Sequence, residues 1–360
     1  MYKWLSTFLL LFPFVFIIGF LFWFEGIQSL IKSSEPLSDS IKNSIEMVSW
    51  IFGGIMSLLG FMTLFIAFSY ENKLLRASKI KQQLLHPYAL SLDEIIQCMS
   101  EYKLYITRDF LINIIYWIFV IVSSVLIITW GTIIGFYSNF DFPSSFEIKN
   151  VQVINTILVV IWVLFSFLLI SISIILNLIR FNKDPLGKGY LLNEIKMSDI
   201  ESIIKNKGDI QELFFKISPS LSLIKNPPND SQERELSIYF PLKLSNIRFV
   251  AILYKQDSKE TSLRIFGVLK DLGRVGESFS HIITQTSFKN SPINEQSVGI
   301  LKFYDKNNNL ISLLKLKAEK NDDGLIVKVK NKMDLKLITK DNDYKDIENH
   351  DKEFIDYTLS

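Results

Sequence analysis

Residues 150–179 read NVQVINTILVVIWVLFSFLLISISIILNLI, with no charged side chain between Lys149 and Arg180. An α-helix rises about 1.5 Å per residue and the hydrocarbon core of a bilayer is about 30 Å thick, so about 20 residues suffice to cross it. The stretch is therefore long enough and apolar enough to cross a membrane as a single helix.

Three similar stretches precede it in the first half of the chain. They lie between Lys3 and Glu25, between Glu46 and Glu71, and between Asp109 and Asp141. We therefore expect a membrane α-helical bundle within residues 1–180, with four transmembrane helices at about 4–24, 47–70, 111–136 and 151–179. The first run is longer than a signal-peptide core and lacks a small-residue cleavage site, so it is predicted to remain as span one.

Charge is concentrated in the second half of the chain. Residues 1–180 hold only 11 of the 39 Lys and Arg residues and 11 of the 37 Asp and Glu residues. Residues 181–340 are predicted to form a cytoplasmic α+β domain dominated by antiparallel β-strands, because short alternating segments are separated by turn residues. The strands are expected at 236–240, 247–255, 261–269, 281–288, 298–304, 310–318, 324–330 and 334–339. Residues 219–233 are predicted to be a linker, and the acidic residues 341–360 a disordered tail.

Lysine and arginine also predict the orientation in the membrane. The loops on one side of the predicted spans contain only Lys32, Lys42 and Lys149. The opposite side contains ten basic residues, at positions 73, 76, 79, 81, 103, 108, 180, 183, 188 and 196. The positive-inside rule then places both termini in the cytoplasm, and we expect a multi-pass protein of the cell membrane. Cys98, the only cysteine, is predicted to face the cytoplasm and can form no disulfide within the chain.

Small and weakly polar residues recur at helical spacing along one side of spans two, three and four. They are Gly53, Ser57 and Gly60 in span two, Asn113, Ser124, Gly131 and Gly135 in span three, and Asn155, Ser166, Ser173 and Asn177 in span four. Such residues allow close approach and hydrogen bonding between helices in lipid, so these faces are predicted to pack together. The alternative is a polar conduit, but no ionisable residue lies inside the four runs, which argues against coupled transport.

Residues 71–109 are predicted to form a helical hairpin on the cytoplasmic side. His86-Pro87 interrupts the helix that extends span two. The motif Ser91-Leu92-Asp93-Glu94 is typical of a capping box that starts a second helix. Four basic residues next to the membrane are candidates for binding anionic lipid headgroups, or serve only to set the topology: Lys73, Arg76, Lys79 and Lys81.

The sequence contains no recognisable motif for catalysis or for a cofactor. Asp305, Asn307 and Asn309 resemble the start of a calcium loop, but leucine occupies position 310, where glycine is needed, and position 316, where glutamate is needed. The three histidines are widely separated, no GK[ST] motif is present, and no basic patch suggests nucleic-acid binding. We therefore expect no enzyme activity, no cofactor, no metal and no nucleic-acid partner.

Two functions remain compatible with this architecture. The first is a membrane-anchored sensor, scaffold or regulatory subunit whose β-rich domain binds a cytoplasmic protein or a small molecule. The second is a homo-oligomeric channel or membrane-perturbing effector in which spans two to four line the conduit.

Overall fold

The computed structural model describes most of the chain beyond residue 38. The described residues are Phe12, Val15 and the ranges 39–107, 110–137, 150–225, 234–255, 260–271, 278–283, 293–322, 324–338 and 341–359. Predicted span one therefore lies outside the described residues, apart from Phe12 and Val15, which are helical. The chain divides into a helical unit, Met1–Arg76 with Thr107–Leu191, and a β unit, Ala77–Ile106 with Leu192–Ser360.

Four helices occupy the first half of the described chain. They are α1 (Asp39–Leu85), α2 (Leu92–Ile106), α3 (Phe110–Tyr137) and α4 (Asn150–Arg180). Three segments are long and apolar enough to cross a membrane: Glu46–Leu85, Ile112–Gly135 and Val151–Arg180. These segments correspond to predicted spans two, three and four, and the segment for span three is one residue shorter than predicted at each end.

Large apolar side chains pack the three long helices of the helical unit. The ring of Phe52 on α1 stacks on Trp130 of α3, with 4.3 Å between ring centroids. Trp162 of α4 is buried and its indole Nε1–H donates a hydrogen bond to the carbonyl oxygen of Ile127 on α3, at 3.1 Å. Because a buried N–H without an acceptor is costly, the bond stabilises the register of α4 against α3.

Within its second segment, Leu192–Ser360, the described part of the β unit contains three short α-helices and one sheet. The helices are α5 (Glu194–Met197), α6 (Ile200–Lys205) and α7 (Ile210–Ile217). The strands are β1 (Ser220–Lys225), β2 (Arg234–Tyr239), β3 (Ser245–Tyr254), β4 (Thr261–Asp271), β5 (Ser278–Ile283), β6 (Val298–Tyr304), β7 (Leu310–Asn321), β8 (Gly324–Lys332) and β9 (Phe354–Leu359). They form a nine-stranded antiparallel half-barrel in the order β5-β2-β1-β8-β7-β6-β3-β4-β9. The predicted antiparallel character of the domain is confirmed.

Three predictions about the second half differ from the structure. Residues 219–225 of the predicted linker contain β1, which pairs with both β2 and β8 and includes buried Leu221 and Leu223, while residues 226–233 lie outside the described residues. The strand predicted at 334–339 is a 3-10 helix over Leu335–Leu337, because the carboxylate of Asp334 accepts a hydrogen bond from Lys336 N and starts a turn. The predicted disordered tail contains a 3-10 helix at Asp343–Asp346 and strand β9, which pairs with β4.

The two faces of the sheet are covered by different parts of the chain. On the inner face, Phe214 of α7 stacks on Phe303 of β6 with ring centroids 3.7 Å apart, and Phe249 on β3 lies beside Phe303 in register. On the outer face, Ile347 from the C-terminal segment is fully buried against a cluster that includes Val250. The sheet thus has one face under α7 and one under the end of the chain.

We expect Phe214→Ala to destabilise the β unit by about 3–5 kcal/mol, because the ring is fully buried and its removal leaves a cavity against Phe303. Differential scanning calorimetry of the full chain in detergent measures the loss. Leu337→Ala is the control, since Leu337 is 67% exposed and its truncation should change stability by less than about 0.5 kcal/mol. Equal effects of the two substitutions would contradict the packing of α7 on the inner face.

Candidate functional site

The C-terminal residues 341–353, here called the strap, cross the outer face of the sheet through ion pairs. Lys302 of β6 projects from this face with its side chain only 5% exposed. Its ammonium group contacts the carboxylates of Asp341 at 2.9 Å and Asp343 at 2.5 Å. The hydroxyl of Tyr304 also donates to Asp341, at 2.8 Å. The burial of Tyr304, together with that hydrogen bond and the nearby negative charges, raises the pKa of its phenol well above the usual value.

Arg264 of β4 holds the next turn of the strap. Its guanidinium contacts Asp343 at 2.7 Å through Nη1 and Asp346 at 2.6 Å through Nε. Burial alone would raise the pKa of Asp343, but the hydrogen bond from Lys302 and the charges of Lys302 and Arg264 outweigh it and lower this pKa. The aspartates predicted to keep the tail disordered are therefore the residues that attach it to the sheet.

A cavity of about 400 Å³ lies on the same face, next to the strap. Its floor is formed by outer-face side chains of β3 and β4, Arg248, Val268 and Lys270. Its rim includes Glu201 of α6, Lys306 in the β6–β7 turn, and Asp351 of the strap. The cavity is within the range of about 300–1,000 Å³ found for small-molecule sites.

Arg248 is the buried charge of this cavity, with only 8% of the residue exposed. Its Nη1 donates to Oδ1 of Asn308 at 3.2 Å, and its Nη2 to the carbonyl oxygen of His350 at 3.3 Å. Both acceptors are neutral. The carboxylate of Asp351 lies 3.6 Å from Nη2, beyond hydrogen-bond distance, and its side chain is 98% exposed.

Hydrogen bonds between residues far apart in the sequence fix the rim of the cavity. The side-chain amide of Asn246, a residue with a positive φ of 60°, donates to the carboxylate of Asp199 at 2.9 Å. Asp199 is also the N-cap of α6, so this bond ties the start of α6 to β3. Glu201 then accepts a hydrogen bond from the backbone N–H of Lys306 at 2.8 Å. The β6–β7 turn and α6 are thus joined across the rim.

The segment Ala77–Ile106, here called the hairpin, packs as part of the β unit. Ser91 and Glu94 form the predicted capping box, since Ser91 N donates to the Glu94 carboxylate at 2.7 Å and Glu94 N donates to Ser91 Oγ at 3.4 Å. These hydrogen bonds from Ser91 lower the pKa of Glu94. The start of α2 is therefore determined by neighbouring residues in the sequence. The packing of the hairpin within the β unit depends on residues that are distant in the sequence.

Four polar contacts attach the hairpin to residues 192–209. The backbone N–H of Asp209 donates to Leu85 O at 2.7 Å, and the hydroxyl of Tyr88 donates to the Asp209 carboxylate. The hydroxyl of Tyr102 donates to Leu192 O at 2.8 Å, and Lys103 pairs with Glu194 at 2.8 Å. Tyr102 and Ile95 are almost completely buried on the same side of α2. A division of the chain at residue 180, as the sequence predicts, would separate the hairpin from the unit with which it packs.

The predicted packing faces differ in their surroundings. In α4 all four predicted residues are buried: Asn155, Ser166, Ser173 and Asn177. In α3, Gly135 is buried, and Asn113, Ser124 and Gly131 are half-buried. In α1 the residues are exposed within the described part of the chain: Gly53, Ser57 and Gly60.

Of the predicted headgroup residues, Arg76 and Lys79 are exposed, Lys73 lies over the Tyr70 ring and Lys81 is buried.

Sequence reasoning missed the cavity and the cations of the outer face. A signal was present, because Arg248, Arg264 and Lys302 each stand alone between apolar residues in a predicted strand. A single cation in an otherwise apolar strand requires a partner, and the acidic tail was the available source of one. The pattern did not indicate which cation would lack a close carboxylate.

We expect Asp343→Asn to loosen the strap at pH 7, with amide hydrogen exchange in residues 341–359 rising about tenfold, because charge-assisted hydrogen bonds to Lys302 and Arg264 are lost. The lowered pKa of Asp343 stabilises the fold above the unfolded value of about 3.9, and this contribution disappears as the pH falls through the folded pKa. The difference between variant and wild type should therefore shrink below about pH 4. A difference that persists unchanged there would contradict the assignment.

Two features of the described residues can carry a function: the cavity around Arg248 and the attachment of the hairpin to the β unit. Comparison of the chain with protein-family models, with curated proteins and with solved structures gives no match. The chemistry of these two features is therefore the basis of the proposals that follow.

Proposed function

We propose that this chain is a multi-pass protein of the cell membrane, with both termini in the cytoplasm, and that its β unit acts as a sensor or regulatory module for the membrane helices. The observation that supports this function is the hairpin. Its residues pack with the β unit, while its two ends continue into helices that are long and apolar enough to cross a membrane.

The covalent connections of the hairpin are short, and the one to predicted span two is helical. α1 runs without interruption from Asp39 to Leu85, so the same helix contains predicted span two and the first half of the hairpin. α2 ends at Ile106 and α3 begins at Phe110. A helix transmits displacement along its axis, because its backbone hydrogen bonds resist bending. Movement of the hairpin would therefore be passed to the helices on both sides of it.

The exposed polar contacts of the hairpin are suited to reversible movement, whereas the buried Ile95 and Tyr102 hold α2 more firmly. The Lys103–Glu194 pair is about half exposed at both partners, and such pairs contribute about 0–1 kcal/mol. The Tyr88–Asp209 hydrogen bond is exposed to solvent, where water competes for both groups. Contacts of this size can be broken by binding events of ordinary strength. The exposed Arg76 and Lys79, near the membrane in this orientation, are proposed to bind anionic lipid headgroups.

We expect Cys98 to be protected from a membrane-impermeant maleimide in intact cells and labelled once the cells are broken. The residue lies on α2 between predicted spans two and three, so its accessibility gives the side of that loop directly. A control cysteine at position 149, introduced as Lys149→Cys in a Cys98→Ser chain, should be labelled in intact cells. The reverse pattern would contradict the proposed orientation.

Cys98 also provides a probe of hairpin attachment. Its thiol is half-buried, and burial, with the charges of Glu101 and Glu94, raises its pKa. We expect Tyr88→Phe to increase the labelling rate of Cys98 about fivefold in the purified full chain at pH 8, because loss of the hydrogen bond to Asp209 lets the hairpin open more often. Tyr105→Phe is the matched control, since the Tyr105 hydroxyl has no partner among the described residues. Equal labelling rates would contradict the attachment.

Communication with the membrane helices can be measured in the same preparation. All six tryptophans lie within residues 1–180, at 4, 23, 50, 117, 130 and 162, so intrinsic emission reports on that half alone. Loosening the strap with Asp343→Asn should change both tryptophan emission and Cys98 labelling, if the β unit regulates the helices. If hydrogen exchange shows an opened strap while both signals stay unchanged, the proposed function is wrong.

A further inference from the structure

We propose that the cavity around Arg248 binds a phosphorylated small molecule, whose phosphate pairs with Arg248, Lys270 and Lys306. This inference names the ligand of the β unit, and it rests on the proposed function only in treating that ligand as the signal. The physical basis is the incomplete pairing of a buried cation beside an open cavity.

The cations on the outer face of the sheet differ in how closely they are paired with carboxylates. Two cationic side chains on this face, Lys302 and Arg264, each contact two strap carboxylates within 2.9 Å. The side chain of Arg248 is 9% exposed, between Lys302 at 5% and Arg264 at 22%, yet its hydrogen bonds go to neutral oxygens and its nearest carboxylate, that of Asp351, lies 3.6 Å away in solvent. Buried charges in proteins are normally paired, so an anion is expected where the structure leaves room for one.

Two lysines add positive charge at the same cavity. Lys270 and Lys306 are both exposed, and the structure gives neither ammonium group a carboxylate partner within the described residues. Of the two acidic residues at the rim, Glu201 is already engaged with a backbone N–H. The three cations and the two carboxylates of the lining leave it with a net charge of +1.

The arrangement favours phosphate over a carboxylate. A guanidinium presents a planar fork of donors, and lysine ammonium groups act as point charges, a combination that suits the several oxygens of a phosphate. A cavity of about 400 Å³ is larger than inorganic phosphate requires, so the ligand has an organic part. That part is polar, because Asn246, Asn307 and the charged side chains line most of the cavity and Val268 is the apolar exception.

Asp351 is the residue that the ligand would displace. It belongs to the strap, its side chain is 98% exposed, and its single contact with Arg248 is longer than a hydrogen bond. A phosphate that reaches Arg248 from the cavity would replace this weak pair with a closer one. His350, whose carbonyl oxygen accepts from Arg248, precedes Asp351, so binding at Arg248 also acts on the strap.

Isothermal titration calorimetry of the full chain in nanodiscs tests this site. The probes are glucose 6-phosphate, AMP and short-chain phosphatidic acid, with glucose as the unphosphorylated control. We expect a phosphorylated probe to bind with a Kd of about 1 mM or lower, and glucose not to bind. Binding of glucose 6-phosphate or AMP would identify a soluble ligand, and binding of phosphatidic acid alone would identify a lipid headgroup. Failure of all three probes at this level, or equal binding of glucose, overturns the proposal.

Substitutions of the lining residues test whether the probe binds in the cavity. Arg248→Met and the pair Lys270→Gln with Lys306→Gln should each weaken binding at least tenfold. Because Arg248 is buried and its replacement can unfold the domain, the double lysine variant keeps the test decisive. The pair Lys315→Gln with Lys317→Gln removes the same charge from exposed positions on β7 that do not line the cavity, and should leave the Kd unchanged. Equal loss in the two double variants overturns the site.

Ligand binding at the cavity and regulation of the membrane helices are measured by two different signals. The calorimetric Kd depends only on the cavity, whereas tryptophan emission on ligand addition depends on communication with the helical half. A phosphorylated probe that binds through Lys270 and Lys306 without altering emission would support the site and contradict the proposed function. The opposite failure, absence of binding with intact coupling of strap to hairpin, would contradict the site alone.

Discussion

The outer face of the β unit depends on one constraint: a cation removed from water must meet an anion. Transfer of an ammonium or guanidinium group into a protein interior costs several kcal/mol, and only close, well-oriented partners offset it. Lys302 and Arg264 obtain these partners from aspartates that are 39 to 82 positions away in the sequence. The cost of leaving either cation unpaired therefore helps to hold the C-terminal segment against the sheet, although that segment is rich in charge.

This pairing has consequences along the whole strap. With Asp343 and Asp346 fixed, Ile347 reaches the apolar cluster of the outer face and is fully buried. The following residues carry His350 and Asp351 to the cavity and then form β9, which completes the sheet against β4. The edge of the sheet and one wall of the cavity therefore depend on the same ion pairs, so both are expected to respond together to pH or to a competing anion.

Properties that depend on neighbouring residues were predictable from the sequence, and properties that depend on distant residues were not. The apolar runs at 47–70, 111–136 and 151–179 correspond to helices long enough to cross a membrane, and the alternation around Val327 corresponds to β8. The strap and the attachment of the hairpin were missed, because an acidic segment has no local feature that distinguishes disorder from pairing with remote cations. The cavity was missed for the same reason. Whether Arg248 has a close carboxylate partner depends on the position of Asp351, which is distant in the sequence.

The distribution of stabilising energy in the β unit bears on its proposed regulatory role. The inner face contains fully buried aromatic side chains such as Phe214 and Phe303, each worth several kcal/mol, so the sheet itself is stiff. The hairpin is held partly by solvent-exposed polar contacts, such as that between Tyr88 and Asp209. A ligand can shift an equilibrium only by its difference in affinity for the two states, typically a few kcal/mol. Ligand binding at the cavity could therefore rearrange the strap and the hairpin while leaving the sheet that supports Arg248 intact.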